Sequence, residues 1–166
     1  DWKQYRLNAD LLSERGIQIS GVYHDAPRWA KSNTPRLPSD LLANYRFARK
    51  LAREFRGAMT VWEFWNEPDI GFAPEGAWDY AAALKSAYLG FKAGDPDVTV
   101  APGGYARTPL MNYSHVVLLN GAGWYADLFN MHTYAVIRDF PAVVGDVRAL
   151  LSRHGLGHLP IWFTEN

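Results

Sequence analysis

Thr60-Val61-Trp62-Glu63-Phe64-Trp65-Asn66-Glu67-Pro68 joins two kinds of chemistry within nine residues. Residues 60–65 are apolar and aromatic apart from Glu63, too short for a helix, and bounded by Pro68. Such a run reads as a buried strand. At its C-terminal end it turns polar, with Asn66 and Glu67 side by side.

The same alternation continues on both sides. Before it, residues 3–14 read as a helix with Tyr5, Leu7, Leu11 and Leu12 on one face and Gly16 beyond its end. Residues 17–23 read as a buried strand, and residues 24–38 as a loop rich in proline and small polar residues. Ser39 is the expected N-cap of a helix over residues 40–55, whose apolar stripe ends at Gly57. After the quoted stretch come a helix over 78–93, a strand over 98–101 and a weaker helix over 111–119. A strand over 128–132 follows, then a helix reaching Arg153 with Pro141 at its first position. A last strand covers residues 161–164.

Strand and helix alternate with a period of about 30 to 40 residues, the pattern of a parallel sheet with crossover helices. No glycine-rich phosphate-binding turn follows any strand, which disfavours an open nucleotide-binding sheet. The 166 residues read as one domain.

Bulk properties remove several function classes. Lysine plus arginine and aspartate plus glutamate each number 17, so no net charge draws the chain to nucleic acid or to an anionic membrane. No apolar run is long enough to span a bilayer, and no signal peptide is visible. Without cysteine there are no disulfides, thiolate metal sites or thiol nucleophiles. The seven Trp, nine Tyr and eight Phe suit core packing, and equally suit stacking on the C–H faces of sugar rings.

Polar residues collect at the C-terminal ends of the strands: His24 and Asp25, Asn66 and Glu67, His132 and Tyr134, Glu165 and Asn166. In a barrel that rim carries the chemistry. An idle carboxylate directly after an apolar strand is costly, and here two strands end in one. Two such carboxyls have a definite use in glycoside cleavage. One protonates the leaving oxygen, and the other attacks the anomeric carbon when the two stand ~5–5.5 Å apart. The charge on the nucleophile keeps its neighbour protonated until the nucleophile is esterified.

Residues 62–68 resemble the strand-four signature of clan A glycoside hydrolases, and Ile161-Trp162-Phe163-Thr164-Glu165 resembles their strand-seven signature. The 98 residues from Glu67 to Glu165 leave room for strands five and six. Residues 16–30, with Ala26-Pro27-Arg28-Trp29-Ala30, are similar to strand three and its loop in the β-xylosidase and α-L-iduronidase branch, family 39. His132-Thr133-Tyr134 resembles strand six of that branch. The resemblance implies a (β/α)8 TIM barrel of which strands 3 to 7 are present, and strands one, two and eight are not. It implies a retaining glycosidase acting on β-glycosides such as β-xylosides, with a carbohydrate substrate and no cofactor or metal. Glu67 would be the acid/base and Glu165 the nucleophile. Asn66 would hydrogen-bond the sugar 2-hydroxyl, and Tyr134 would hold Glu165 ionised. His132 and His24 would line the glycone pocket, with Trp29 as a stacking face and Trp65 beside the substrate.

Period-two alternation puts Glu67, Trp65, Glu63 and Val61 on one face and Asn66 on the other. The strand must therefore bend or bulge at its end for Asn66 to reach a sugar. Glu63 then points inward and needs a partner such as Arg or His. Two other functions fit the same residues. One is a metal-dependent sugar isomerase using His24, Asp25, Glu67, His132 and Glu165. The other is a carbohydrate-binding or truncated barrel fragment without turnover.

Overall fold

The computed structural model describes residues 2–26, 37–107 and 112–166. Trp29 lies outside them, so its expected stacking role has no structural counterpart here. Helices and strands alternate as the sequence implies: α1 (Lys3–Ser13), β1 (Ser20–Tyr23), α2 (Leu41–Glu54), β2 (Val61–Phe64), α3 (Ala77–Gly94), β3 (Thr99–Pro102), α4 (Asn112–Leu119), β4 (Phe129–His132), α5 (Phe140–Arg153) and β5 (Ile161–Glu165). Short 3-10 turns at Ala122–Tyr125 and Ile137–Asp139 precede β4 and α5. No helix among the described residues is long and apolar enough to cross a membrane.

All strand pairs are parallel. β2 lies between β1 and β3, with Glu63 opposite Val22 and Ala101. β4 pairs with β5, the register slipping between Met131 and His132. A parallel bridge from Tyr105 to Met131 joins the two sheets, with backbone bonds from Tyr105 N to Asn130 O (3.3 Å) and His132 N to Tyr105 O (3.0 Å). The strands thus follow one another in chain order across both sheets. Among the described strands that order has no reversal of the kind that marks the switch point of an open doubly wound sheet.

The core lies between this sheet and the helices behind it. β2 is buried along its whole length, as a central parallel strand should be. α2 and α3 pack backbone to backbone. A Cβ added to Gly90 or Gly94 would come within 2.4 Å of the Tyr45 or Arg49 carbonyl oxygen, so only glycine permits that approach.

Four expectations need correction. The cap of α2 is Asp40, whose Oδ1 accepts from Ala43 N at 2.9 Å, one residue after the expected Ser39. The first strand begins at Ser20, and Ile17 and Val22 are about half exposed, because the outer edge of β1 has no neighbour among the described residues. For the same reason Tyr5, Leu7, Leu11 and Leu12 of α1 remain exposed, and its one buried residue is Ala9. Pro141 occupies the second helical position of α5, since the helix opens at Phe140.

Candidate active site

The site forms where β2, β3, β4 and β5 end. After Phe64 the chain leaves the extended conformation sharply: Trp65 has φ 78° and Glu67 has φ 38°. Neither residue is glycine, so both occupy a sparsely populated region that the surroundings must enforce. The enforcement is visible. Trp65 N donates to Tyr23 O (2.9 Å), and Glu67 N donates to Gly104 O (3.1 Å). The Tyr80 hydroxyl donates to Phe64 O (3.0 Å) and accepts from Gly103 N (2.9 Å). Asp69, two residues past Glu67, accepts from Ala106 N and Arg107 N at 2.9 and 2.8 Å. This turn departs from period-two alternation, and Asn66 is half-buried in it.

Glu67 and Glu165 meet across the seam between the sheets. With His132 they form a group in which one ligating atom from each residue lies within 4.8 Å of the others. His132 Nδ1 is 3.0 Å from Glu67 Oε1 and 3.6 Å from Glu165 Oε2. The His132 side chain is 2% exposed, Glu67 14% and Glu165 45%. One carboxyl is therefore enclosed against the imidazole, and the other stands open. Tyr134 donates its hydroxyl to Glu165 Oε2 at 2.8 Å, and the carboxylate holds the phenol above its ordinary range.

Among the described residues Glu63 hydrogen-bonds neither an arginine nor a histidine, and His132 acts on it through its charge alone. Its Oε1 accepts the Gly104 N–H at 3.0 Å, and the Asn130 amide also binds the carboxyl. Burial pushes this carboxyl above its ordinary range, against the pull of Gly104 N–H and of His132.

The remaining expected site residues are placed less uniformly. Trp65 is fully buried, its indole N–H is donated to Phe72 O (2.9 Å), and the His24 ring lies 4.7 Å from its own. It therefore supports the rim from below and presents no stacking face. His24 reaches the site through that contact, with Asp25 Oδ2 3.9 Å from its Nδ1. Neither His24 nor Asp25 belongs to the group formed by Glu67, His132 and Glu165.

Four residues to which the sequence assigns no site role shape the geometry. Gly103 and Gly104 leave no room for a side chain. A Cβ on Gly103 would lie 2.6 Å from Trp65 O, and one on Gly104 would lie 2.0 Å from His132 Nε2. The pair at the end of β3 was the available signal. The buried Asn130 and the exposed Thr164 form a hydrogen-bond chain: Asn130 Nδ2 donates to Pro102 O (3.3 Å), Thr164 Oγ1 donates to Asn130 Oδ1 (3.0 Å), and His132 Nε2 lies 3.1 Å from Thr164 Oγ1.

The sequence matches no protein-family model and no curated protein. Solved structures do match. A glucosidase from Croceicoccus marinus aligns with TM-score 0.80 and 16% identity over 98% of this chain and 37% of that one. A monomeric β-xylosidase from Caulobacter crescentus aligns at 0.75 and 21%, over 99% of this chain and 40% of that one. A family 30 xylanase from Clostridium acetobutylicum aligns at 0.67 and 19%, over 99% and 43%. The fold is shared with these glycosidase and xylanase structures. The resemblance first read from residues 62–68 and 161–165 holds at that level, and the chain spans roughly two fifths of these structures' length.

Proposed function

We propose that this chain carries the catalytic pair of a retaining glycoside hydrolase, with Glu67 as acid/base and Glu165 as nucleophile. Its five strands would be strands 3 to 7 of a (β/α)8 barrel. The substrate class would be β-glycosides, β-xylosides among them, in keeping with the xylosidase and xylanase among the similar structures.

The observation that carries this reading is the approach of the two carboxyls, an oxygen of each within 4.8 Å. Inverting enzymes need ~6.5–9.5 Å to admit a water between the carboxyls, whereas direct attack needs ~5–5.5 Å. The asymmetry of the pair agrees with the roles. Glu67 faces an imidazole within hydrogen-bond reach and is nearly enclosed. Glu165 is open, receives the Tyr134 hydroxyl, and is able to reach an anomeric carbon. In the first step the Glu67 proton passes to the glycosidic oxygen as Glu165 bonds to the sugar. In the second, water gives its proton to Glu67 and its hydroxyl to the anomeric carbon, which releases Glu165.

The decisive experiment offers a panel of 2-deoxy-2-fluoro glycosides with good leaving groups, followed by peptide mass mapping. A stable adduct on Glu165 is expected, and the sugar that labels fastest names the glycone. Labelling on another residue would overturn the assignment.

The same three residues could hold a divalent cation, which is the observation favouring the isomerase. That group lacks His24 and Asp25, two of its five expected ligands. Turnover abolished by a chelator and restored by a divalent ion would select it. Sugar binding without turnover or labelling would select a non-catalytic fragment.

A further inference from the structure

The hydrogen-bond chain behind His132 fixes which of its nitrogens carries a proton. The Asn130 amide meets Pro102 O and the Glu63 carboxyl. A carbonyl oxygen has nothing to donate, so Pro102 O needs an N–H from Asn130. The NH2 end of Asn130 must therefore face these two, and its Oδ1 must face Thr164. Asn130 Oδ1 can only accept, so the single Thr164 hydroxyl proton is committed to it at 3.0 Å. What Thr164 Oγ1 then offers His132 is a lone pair. The contact of 3.1 Å with His132 Nε2 requires a proton on that nitrogen.

We infer that Asn130 and Thr164 are positioning residues that hold His132 in its Nε2–H form, so that its Nδ1 presents a lone pair to Glu67. This rests on the reading of Glu67 as the acid/base and adds how its proton is held. In a neutral His132 with Nε2 protonated, Nδ1 has no hydrogen. The 3.0 Å contact with Glu67 Oε1 is then a hydrogen bond only when Glu67 carries the proton. The imidazole thus favours the carboxylic acid, the form needed to protonate a leaving group. Once that proton has left with the departing alcohol, two lone pairs face each other at this contact. The pair regains a proton when water attacks in the second step. The opposite tautomer would donate from Nδ1 and favour the carboxylate, the wrong form for an acid. Gly104 makes the arrangement possible, because any side chain there would occupy the space of the His132 ring.

The test is imidazole nitrogen NMR on the 15N-labelled chain, which needs no turnover. The chain has five histidines, and His132→Gln identifies the signals to follow. The expected spectrum at neutral pH shows a neutral His132 ring, with Nε2 protonated and Nδ1 pyridine-type. Thr164→Val, which removes the acceptor, should populate the Nδ1–H form, and Thr164→Ser should restore the native pattern. A pyridine-type Nε2 in the unaltered chain overturns the inference, and so does a ring protonated on both nitrogens. So does a Thr164→Val spectrum identical to that of the parent, or a Thr164→Ser spectrum that fails to recover. The unaltered spectrum alone decides the matter should the valine variant not fold. Fluoroglycoside labelling tests the glycosidase reading separately, so loss of either result leaves the other interpretable.

Discussion

Tyr134 donates its hydroxyl to Glu165 Oε2 across 2.8 Å, although the tyrosine is 75% exposed. The two residues come from different strand ends, one after β4 and one closing β5. A nucleophilic carboxylate gains from such a donor because the bond favours its ionised form. Tyr134→Phe is therefore expected to slow glycosyl-enzyme formation while leaving the fold intact. Pre-steady-state kinetics on an activated glycoside should show a smaller first-step rate, with an unchanged thermal midpoint. Because the tyrosine is solvated, the effect should be smaller than that of replacing Glu165.

Glu67 lies 3.0 Å from an imidazole nitrogen and is assigned the proton transfer. Glu67→Gln should cost about 10²–10⁴-fold on glycosides with poor leaving groups, the usual worth of general acid catalysis. On glycosides whose leaving group departs without protonation, the first step should be almost unaffected. Comparing the two substrate types measures this directly. Equal losses on both would remove Glu67 from the acid role.

Gly104 faces His132 at a distance no side chain can share. Gly104→Ala must push back the imidazole or the β3 end, and such overpacking costs about 1–3 kcal/mol. Urea denaturation should show that loss. The variant should lose activity beyond what its remaining folded fraction explains, because His132 cannot stay in register with both Glu67 and Thr164.

His154, at the end of α5, lies 3.1 Å through Nε2 from Nδ1 of His115 on α4. Partial burial, then His115 and Arg153, hold His154 below its ordinary value of 6.5. The folded state thus prefers the neutral ring, and the unfolded chain takes up its proton first as pH falls. Stability from this group is complete above about pH 6.5 and declines as pH drops through that value towards the folded one. Denaturation midpoints between pH 7.5 and 5 should fall in the parent chain and fall less in His154→Gln.

Much of this was legible in the sequence because the chemistry sits where periodicity breaks. Apolar strands that end in Asn66-Glu67 and in Thr164-Glu165 mark both the sheet and its rim, and glycines place the helix ends within a residue or two. Other features depend on contacts between distant segments. Asn130 looks like a strand residue among apolar neighbours until Pro102, Glu63 and Thr164 surround it. Trp65 reads as a residue beside the substrate, and nothing in its identity shows that its ring meets His24 or that Phe72 O takes its N–H. The apolar face of α1 was read correctly as a face, but burial needs a neighbour, and none covers it among the described residues. Partner choice for Glu63 was missed because a backbone N–H leaves no trace in residue identity. Gly103-Gly104 was the one hint to it.

The two sheets impose a division of labour on the carboxyls. Glu67 follows β2, held between two strands and clamped to α3 through Tyr80. Glu165 ends β5, a strand with a single neighbour among the described residues. Between them runs a joint that includes the Tyr105–Met131 bridge. An angular change of a few degrees at that joint would move one carboxyl against the other with both sheets intact. Heat or mild denaturant should then silence the chemistry at a lower dose than it takes to erase the circular dichroism of the fold, and repacking the joint is the place to begin when engineering for endurance.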